Sequence, residues 1–171
     1  MCIRDRCQTY NDQLFVAKAL TLILEAYGTD AVITTYTLEM LREARNKLGT
    51  STSLLTYAEL IGLDAQTGIP LQRATNPIER EVIVVLGADA LGVEEMNYLI
   101  EAAPLDGRLY LLGCPKDLPS LSIGQPFADL MECSQFKAFH SRFWGIPESA
   151  LHATQETIWK GTTQPDLDDF D

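Results

Sequence analysis

Phosphate and metal chemistry in an α/β protein is done where strands end, so the residues at such places come first. The stretch "EVIVVLGADA", residues 81–90, is an apolar strand running into a turn. In phosphate-handling enzymes a strand of this kind ends in carboxylates, because hard cations take oxygen ligands. Here it ends in Leu86 and Gly87, whose side chains offer no oxygen. Asp89 follows in the turn, where an exposed Asp needs no metal to explain it. A second candidate is "GCPKDL", with Cys114, Lys116 and Asp117. A thiol becomes a nucleophile when positive surroundings lower its pKa, and Asp117 works against that; Lys116 reads as a solvated loop residue. Thr37 and Thr56 carry hydroxyls that can touch phosphate or cap a helix. Cys2, Cys7, Cys114 and Cys133 form no C-x-x-C pair and have no histidine at zinc-site spacing, so they read as reduced thiols. His140 and His152 stand alone in the sequence and read as packing or surface residues.

The elements that must position these residues follow from periodicity and punctuation. Asp12 to Tyr27 has helical apolar spacing, and Gly28 stops it. "DAVITTY" reads as a strand. Thr37 caps a helix over "LEMLREARNKL" that Gly49 closes. Thr56-x-x-Glu59 is a capping box opening a short helix that ends near Gly62. Residues 63–76 form a loop rich in Gly, Pro, Gln and Thr. "EVIVVL" is continuously apolar, as a strand covered on both faces is. A helix over 93–103, the strand "RLYLLG", a short helix over 125–132, the strand "FKAFH" and a helix over 147–160 complete the series. Strands alternating with helices predict an α/β fold, a mainly parallel sheet with helices on both faces. Working residues of such sheets sit in loops at the carboxyl ends of strands, here "TYT", "LGADA" and "GCPKDL".

Composition narrows the class. The 171 residues suffice for one domain and the start of a second, and 46% hydrophobic content suits a packed core. No apolar run approaches the roughly 18 residues of a membrane span and no secretion signal is visible, so a soluble cytoplasmic protein is expected. Net charge is −11, and it is still −7 without Asp166, Asp168, Asp169 and Asp171 of the tail. That balance disfavours strong nonspecific attraction to nucleic acid while leaving room for a local basic strip. The first six residues, "MCIRDR", resemble a translated adapter remnant and are expected to carry no biological information.

The segment "RLYLLGCPKDLPSLSIGQPFADLMECSQFKAFH" resembles the region of RecD-like superfamily 1 DNA helicases where a strand runs into Gly-Asp-x-x-Gln-Leu and then Pro-Ser-x-x-x-Gly. Those helicases include the exonuclease V alpha subunit and the conjugative relaxase-helicases. Upstream, "EVIVVLGADALGVEEMNYLIEAAP" is similar to the Walker B strand and its helix, and "VITTYTLEMLREARNKLG" with "TYAELIGLD" to the Ala-Pro-Thr and Thr-Ile-His segments. Downstream, "SRFWGIPESALHATQETIWKGTTQPDLDD" resembles the region after the Phe-Arg-Gln motif. The resemblance covers about 160 residues. It implies a three-layer RecA-like P-loop NTPase fold, with residues 7–145 as the first lobe and 146–171 as the beginning of the second.

The same resemblance locates the losses. Hydrolysis by such a motor needs a glycine-rich loop with Lys for the phosphates, Ser or Thr on magnesium, and a strand-end Asp. The Gly-Lys-Thr positions fall on Asn11, Asp12 and Gln13, and an acid at the lysine position repels a triphosphate. The Walker B acids are replaced by Leu86 and Gly87. The third motif keeps Gly113 and Leu118 but has Cys114 for Asp and Asp117 for Gln. The Phe-Arg-Gln segment reads Phe143, Trp144, Gly145, without its guanidinium. Thr37 and Thr56 survive as positions that contact DNA in the family. No catalytic set is intact and no metal site is expected. ATP and Mg2+ belong to the family, but no cofactor is expected here.

The expectation is therefore a degenerate RecD-like motor domain, unable to hydrolyse ATP, acting as a structural or DNA-contacting module in recombination, repair or conjugation. Single-stranded DNA and other helicase or nuclease subunits are the implied partners, and no membrane is. Two alternatives stand beside it: a fragment of an active ATP-dependent helicase or exonuclease subunit whose intact motifs lie elsewhere, and a nucleotide-independent α/β interaction domain with an acidic surface.

Overall fold

A computed structural model describes residues 2–6, 10–49, 53–114, 120, 122–133 and 137–140, with the backbone alone for 2–6 and 137–140. All of them fall within one unit, Met1–Ser141. The chain runs β1 (Cys2–Arg6), α1 (Tyr10–Ala26), β2 (Ala31–Thr35), α2 (Leu38–Leu48), β3 (Ser53–Thr56), α3 (Tyr57–Ile61), β4 (Val82–Leu86), α4 (Val93–Ala102), β5 (Arg108–Gly113), α5 (Pro126–Glu132) and β6 (Lys137–His140), with a 3-10 turn over Ala88–Ala90. The six strands form one sheet in the order β3-β2-β4-β5-β1-β6, and every pairing is parallel. The fold class read from the alternation of strands and helices, α/β with a parallel sheet, is the one observed.

Handedness distributes the helices. The connections β1-α1-β2 and β2-α2-β3 step one way along the sheet, and the three that follow step the other way. Right-handed crossovers therefore put α1 and α2 on one face and α3, α4 and α5 on the opposite face. The two apolar clusters match this division. Leu14, Ala17 and Leu24 of α1 and Leu41 and Ala44 of α2 pack with Ile33, Val82, Val84, Leu86 and Leu112. Tyr57, Leu60 and Ile61 of α3, Met96, Leu99 and Ala102 of α4, and Phe127 of α5 pack with Val32, Ile83, Val85 and Leu111. Strand residues alternate between the clusters at the two-residue period of a strand. Every residue of β4 is buried, which is why "EVIVVL" is apolar throughout rather than alternating.

Three features differ from the sequence-based expectations. Cys2–Arg6, for which no strand was anticipated, runs as β1 between β5 and β6. Ser53–Thr56 forms the edge strand β3 against β2, where only a helix cap was anticipated. The loop after α3 is ordered by two isolated antiparallel bridges, Leu63 with Pro70 and Arg73 with Asn76. The helix expected over 147–160 lies outside the described residues.

Local chemistry explains the element ends. Thr37 caps α2 by accepting a hydrogen bond from Met40 N at 3.2 Å. Thr56 caps α3 in a full capping box: its hydroxyl accepts from Glu59 N at 3.3 Å, and Glu59 Oε2 accepts from Thr56 N at 2.8 Å. Those hydrogen bonds from the Thr56 backbone and hydroxyl hold the Glu59 carboxyl below the usual range. In the core, Thr34 is fully buried and its hydroxyl has no hydrogen-bond partner.

Thr56→Ala should lower stability by about 1 kcal/mol in urea unfolding at neutral pH. A depressed carboxyl contributes stability present above its unfolded value and lost as pH falls through its folded value. The gap between wild type and variant should therefore shrink on acidification; a constant gap would remove Glu59 from the cap. Thr34→Val, which removes the orphan hydroxyl without changing shape, should raise stability by about 1 kcal/mol.

Candidate functional site

Strand order decides where a ligand-binding crevice can form. Adjacent strands whose following connections leave to opposite faces open a gap at their carboxyl ends. Among the neighbouring pairs that meet that condition here are β2 beside β4, and β5 beside β1. The residues at those ends are Thr35 and Tyr36 after β2, Leu86 to Asp89 after β4, Gly113 and Cys114 after β5, and the start of α1 after β1.

The sheet brings several of the sequence candidates together. Gln13, in the first turn of α1, reaches the end of β4, where Gly87 N–H donates to its Oε1 at 2.7 Å in a buried hydrogen bond. Gln13 is 2% exposed and Leu86 fully buried. Leu86 packs with Leu14 and Leu41 beneath α1 and α2, so an apolar side chain fills the place from which a metal-holding carboxylate would act. Gly87 has φ +69, a conformation L side chains rarely adopt, and Met40 occupies the space a Cβ would need. Glycine is thus required twice over at this position.

The start of α1 is fastened to α2 as well. Tyr10 OH donates to Met40 O at 2.8 Å, and burial, with the Glu43 carboxylate nearby, pushes its phenol well above the ordinary range. Lys47 Nζ bonds Asn11 Oδ1 and lies 3.0 Å from Glu43 Oε1. The lysine nearest the start of α1 among the described residues is therefore on the surface, shared between an amide and a carboxylate. Asp12 is buried at 7% exposure and engaged in a polar interaction. It is a structural acid in the first turn of a helix, where negative charge is favoured.

Asp89 was expected to be an exposed turn residue, and the structure corrects that. It is half-buried, and its Oδ1 accepts from Cys114 N at 3.0 Å, clasping the end of β5 to the turn after β4. Gly113 leaves room for this clasp, since a Cβ there would lie 2.5 Å from Asp89 Oδ1. The bond joins two loops that are distant in sequence, which no local pattern could reveal. Cys114 is buried, at 5% exposure. Further along, Ser122 Oγ donates to Glu95 Oε1 at 2.5 Å, tying the segment before α5 to the first turn of α4.

Thr37 and Thr56, offered as DNA contacts, spend their hydroxyls on the caps of α2 and α3. Their sequence neighbours Tyr36 and Tyr57 have ring centroids 6.2 Å apart at 45°. Tyr57 OH donates to Glu95 O at 2.8 Å, whereas Tyr36 is half-buried at the carboxyl edge. Asp117 and Trp144 lie outside the described residues, as do Lys116, Phe143, Gly145 and His152. Among the described residues no three His, Cys, Asp or Glu side chains gather as metal ligands, and no helix is long and apolar enough to cross a membrane.

Among the described residues at this edge, the polar groups that meet do so within the protein. A backbone N–H is met by an amide, a helix start by a neighbouring carbonyl, and a loop amide by Asp89. No protein-family model matches the chain, and no curated protein matches it.

Gln13→Leu keeps the volume and removes the acceptor, leaving Gly87 N–H buried and unmet; stability should fall by about 1–3 kcal/mol in urea unfolding. Unchanged stability would mean that the hydrogen bond does not hold the two elements together.

Proposed function

We propose that this chain is a degenerate motor domain of the RecD-like superfamily 1 kind, with a RecA-like core that no longer hydrolyses ATP. Its role is that of a structural or DNA-contacting module in a recombination, repair or conjugation assembly. One observation carries the reading: the positions matched to the phosphate loop and to the Walker B acids do lie side by side, yet they meet through the hydrogen bond from Gly87 N–H to Gln13 Oε1 at 2.7 Å. Convergence of those positions is what the resemblance requires, and their chemistry is what a fuel site cannot use. A metal-bound triphosphate needs oxygen ligands and positive charge, whereas Leu86, Gly87, Gln13 and Met40 supply apolar contact and an amide. The third matched segment, at Gly113 and Cys114, reaches the same edge through Asp89.

A DNA contact, if retained, would centre on Tyr36. Its ring lies at the carboxyl edge, and Arg42 and Arg45 of the neighbouring α2 are exposed. An aromatic face with nearby guanidinium groups suits single-stranded nucleic acid, where each stacked base contributes about 1–3 kcal/mol. The interaction-domain reading has its own observation: the outward face of α1 carries exposed Leu22 and Ile23.

Titration with a fluorescent ATP analogue and magnesium should show no saturable binding, and ATP turnover should equal the buffer rate with or without single-stranded DNA. Tight magnesium-dependent binding would overturn the proposal. Anisotropy of a labelled single-stranded oligonucleotide at low ionic strength should rise on addition of protein and rise less with Tyr36→Ala. No rise for either protein would select the interaction-domain reading.

A further inference from the structure

A crossover helix ordinarily covers the strands it joins, and α3 is too short to do so. It ends after five residues, where Gly62 turns the chain at φ 60, and so spans only about 7 Å. Residues 62–80 carry the chain on as a loop instead. That loop is fixed at both ends: Gln72 N–H donates to Ile61 O at 3.0 Å, and Ile78 N–H donates to Ala102 O at 2.8 Å. A cleft of about 590 Å³ remains among β3, α3 and the loop, within the roughly 300–1,000 Å³ that small-molecule sites occupy. Asp30 and Arg80, on its rim, stand just before β2 and β4. The rim is therefore at the amino-terminal edge of the sheet, away from the crevices described above.

The groups around the cleft say what it can hold. Leu55, Leu60, Pro77 and Ile78 give it an apolar wall. Arg80 Nη1 lies 2.7 and 2.8 Å from the two carboxylate oxygens of Asp30, so the cation of the rim is already matched. Glu79 is exposed and forms no ion pair among the described residues, which leaves the lining one negative charge in excess. Gln72 Oε1 is buried and accepts no hydrogen bond from the described residues. An acceptor left in that state costs free energy that a donor recovers.

We propose that this cleft binds a small organic amine, charged as an ammonium and carried on a compact apolar body. The body lies against Leu55, Leu60 and Ile78, and Glu79 supplies the compensating charge. An ammonium has three donors and no acceptor, which suits a lining whose unmet groups are an amide oxygen and a carboxylate. Gln72 as a residue is half-buried, so a modest rotation of its side chain turns Oε1 to the ligand. A carboxylate or phosphate would instead confront Glu79, Asp30 and that oxygen, and would stay in water. The inference does not rest on the motor reading, whose matched positions lie at the other edge of the sheet.

Titration of the full chain with phenethylamine, followed by amide NMR, tests it against phenylpropionate and phenylpropanol, which carry the same ring on a chain of similar length. For the amine, saturable shifts centred on the amides of Leu60, Gln72 and Ile78 are expected, with a dissociation constant on the order of 1 mM. Phenylpropionate should not bind, and phenylpropanol, a donor without the charge, should bind roughly two- to fivefold more weakly than the amine. Gln72→Leu keeps the volume and removes the acceptor, so amine binding should weaken about tenfold, while the urea midpoint rises because the unmet oxygen is gone. Glu79→Gln changes an exposed residue and should weaken the amine by roughly two- to fivefold. No saturable shifts, shifts centred elsewhere, equal binding of either analogue, or an affinity unchanged by either substitution would each overturn the proposal.

Discussion

A parallel sheet has to be covered on both faces, and the rest of this structure follows from that requirement. Parallel strands are joined by crossovers that place helices above and below them, and β4, the third strand of six, is buried along its whole length. Its apolar run is therefore a packing demand in its own right. Reversal of the winding direction after β3 sends α1 and α2 to one face and the later helices to the other, producing two separate apolar clusters. The same reversal creates the gaps at the carboxyl edge where a ligand could sit.

What fills those gaps is protein. Parallel strand ends expose backbone groups that must find partners when buried, and a nucleotide with its metal is one way of providing them. Gln13, Met40, Tyr10 and Asp89 provide another. Gln13 meets the Gly87 amide, Asp89 meets the Cys114 amide, and the Tyr10 hydroxyl meets the Met40 carbonyl. Each bond links elements far apart in sequence, so together they join α1, α2, β4 and β5 at one edge.

Much of this could be read from the sequence because its signals are local. Apolar periodicity located α1, β2, β4, α4 and β5 to within about two residues, and the Thr37 and Thr56 caps fixed the starts of α2 and α3. Strand β3 was missed because "SLLT" is short and its last residue, Thr56, also caps α3, so one signal hid the other. Strand β1 was missed because "CIRDR" is short and has three charged residues in five, so it carries no apolar strand signal of its own. In the candidate site, the loops at the carboxyl ends of the strands were legible and the contacts between them were not. That Leu86 and Gly87 lack oxygen ligands is visible in the sequence. That Gln13 supplies the acceptor for Gly87 depends on β1 lying two places from β4, a property of the whole topology. Asp89 shows the same limit: its clasp on Cys114 spans a whole crossover, from the end of β4 to the end of β5, and has no counterpart in spacing.

The burial of Leu86 has a consequence for the chemistry this strand end can accept. An aspartate at that position would place a carboxylate among Leu14, Leu41 and Leu112, at a cost of several kcal/mol when no counter-charge is present. A domain is stable by only about 5–15 kcal/mol. A carboxylate and its counter-charge would therefore have to arrive together, since either one alone removes much of the margin that keeps the chain folded.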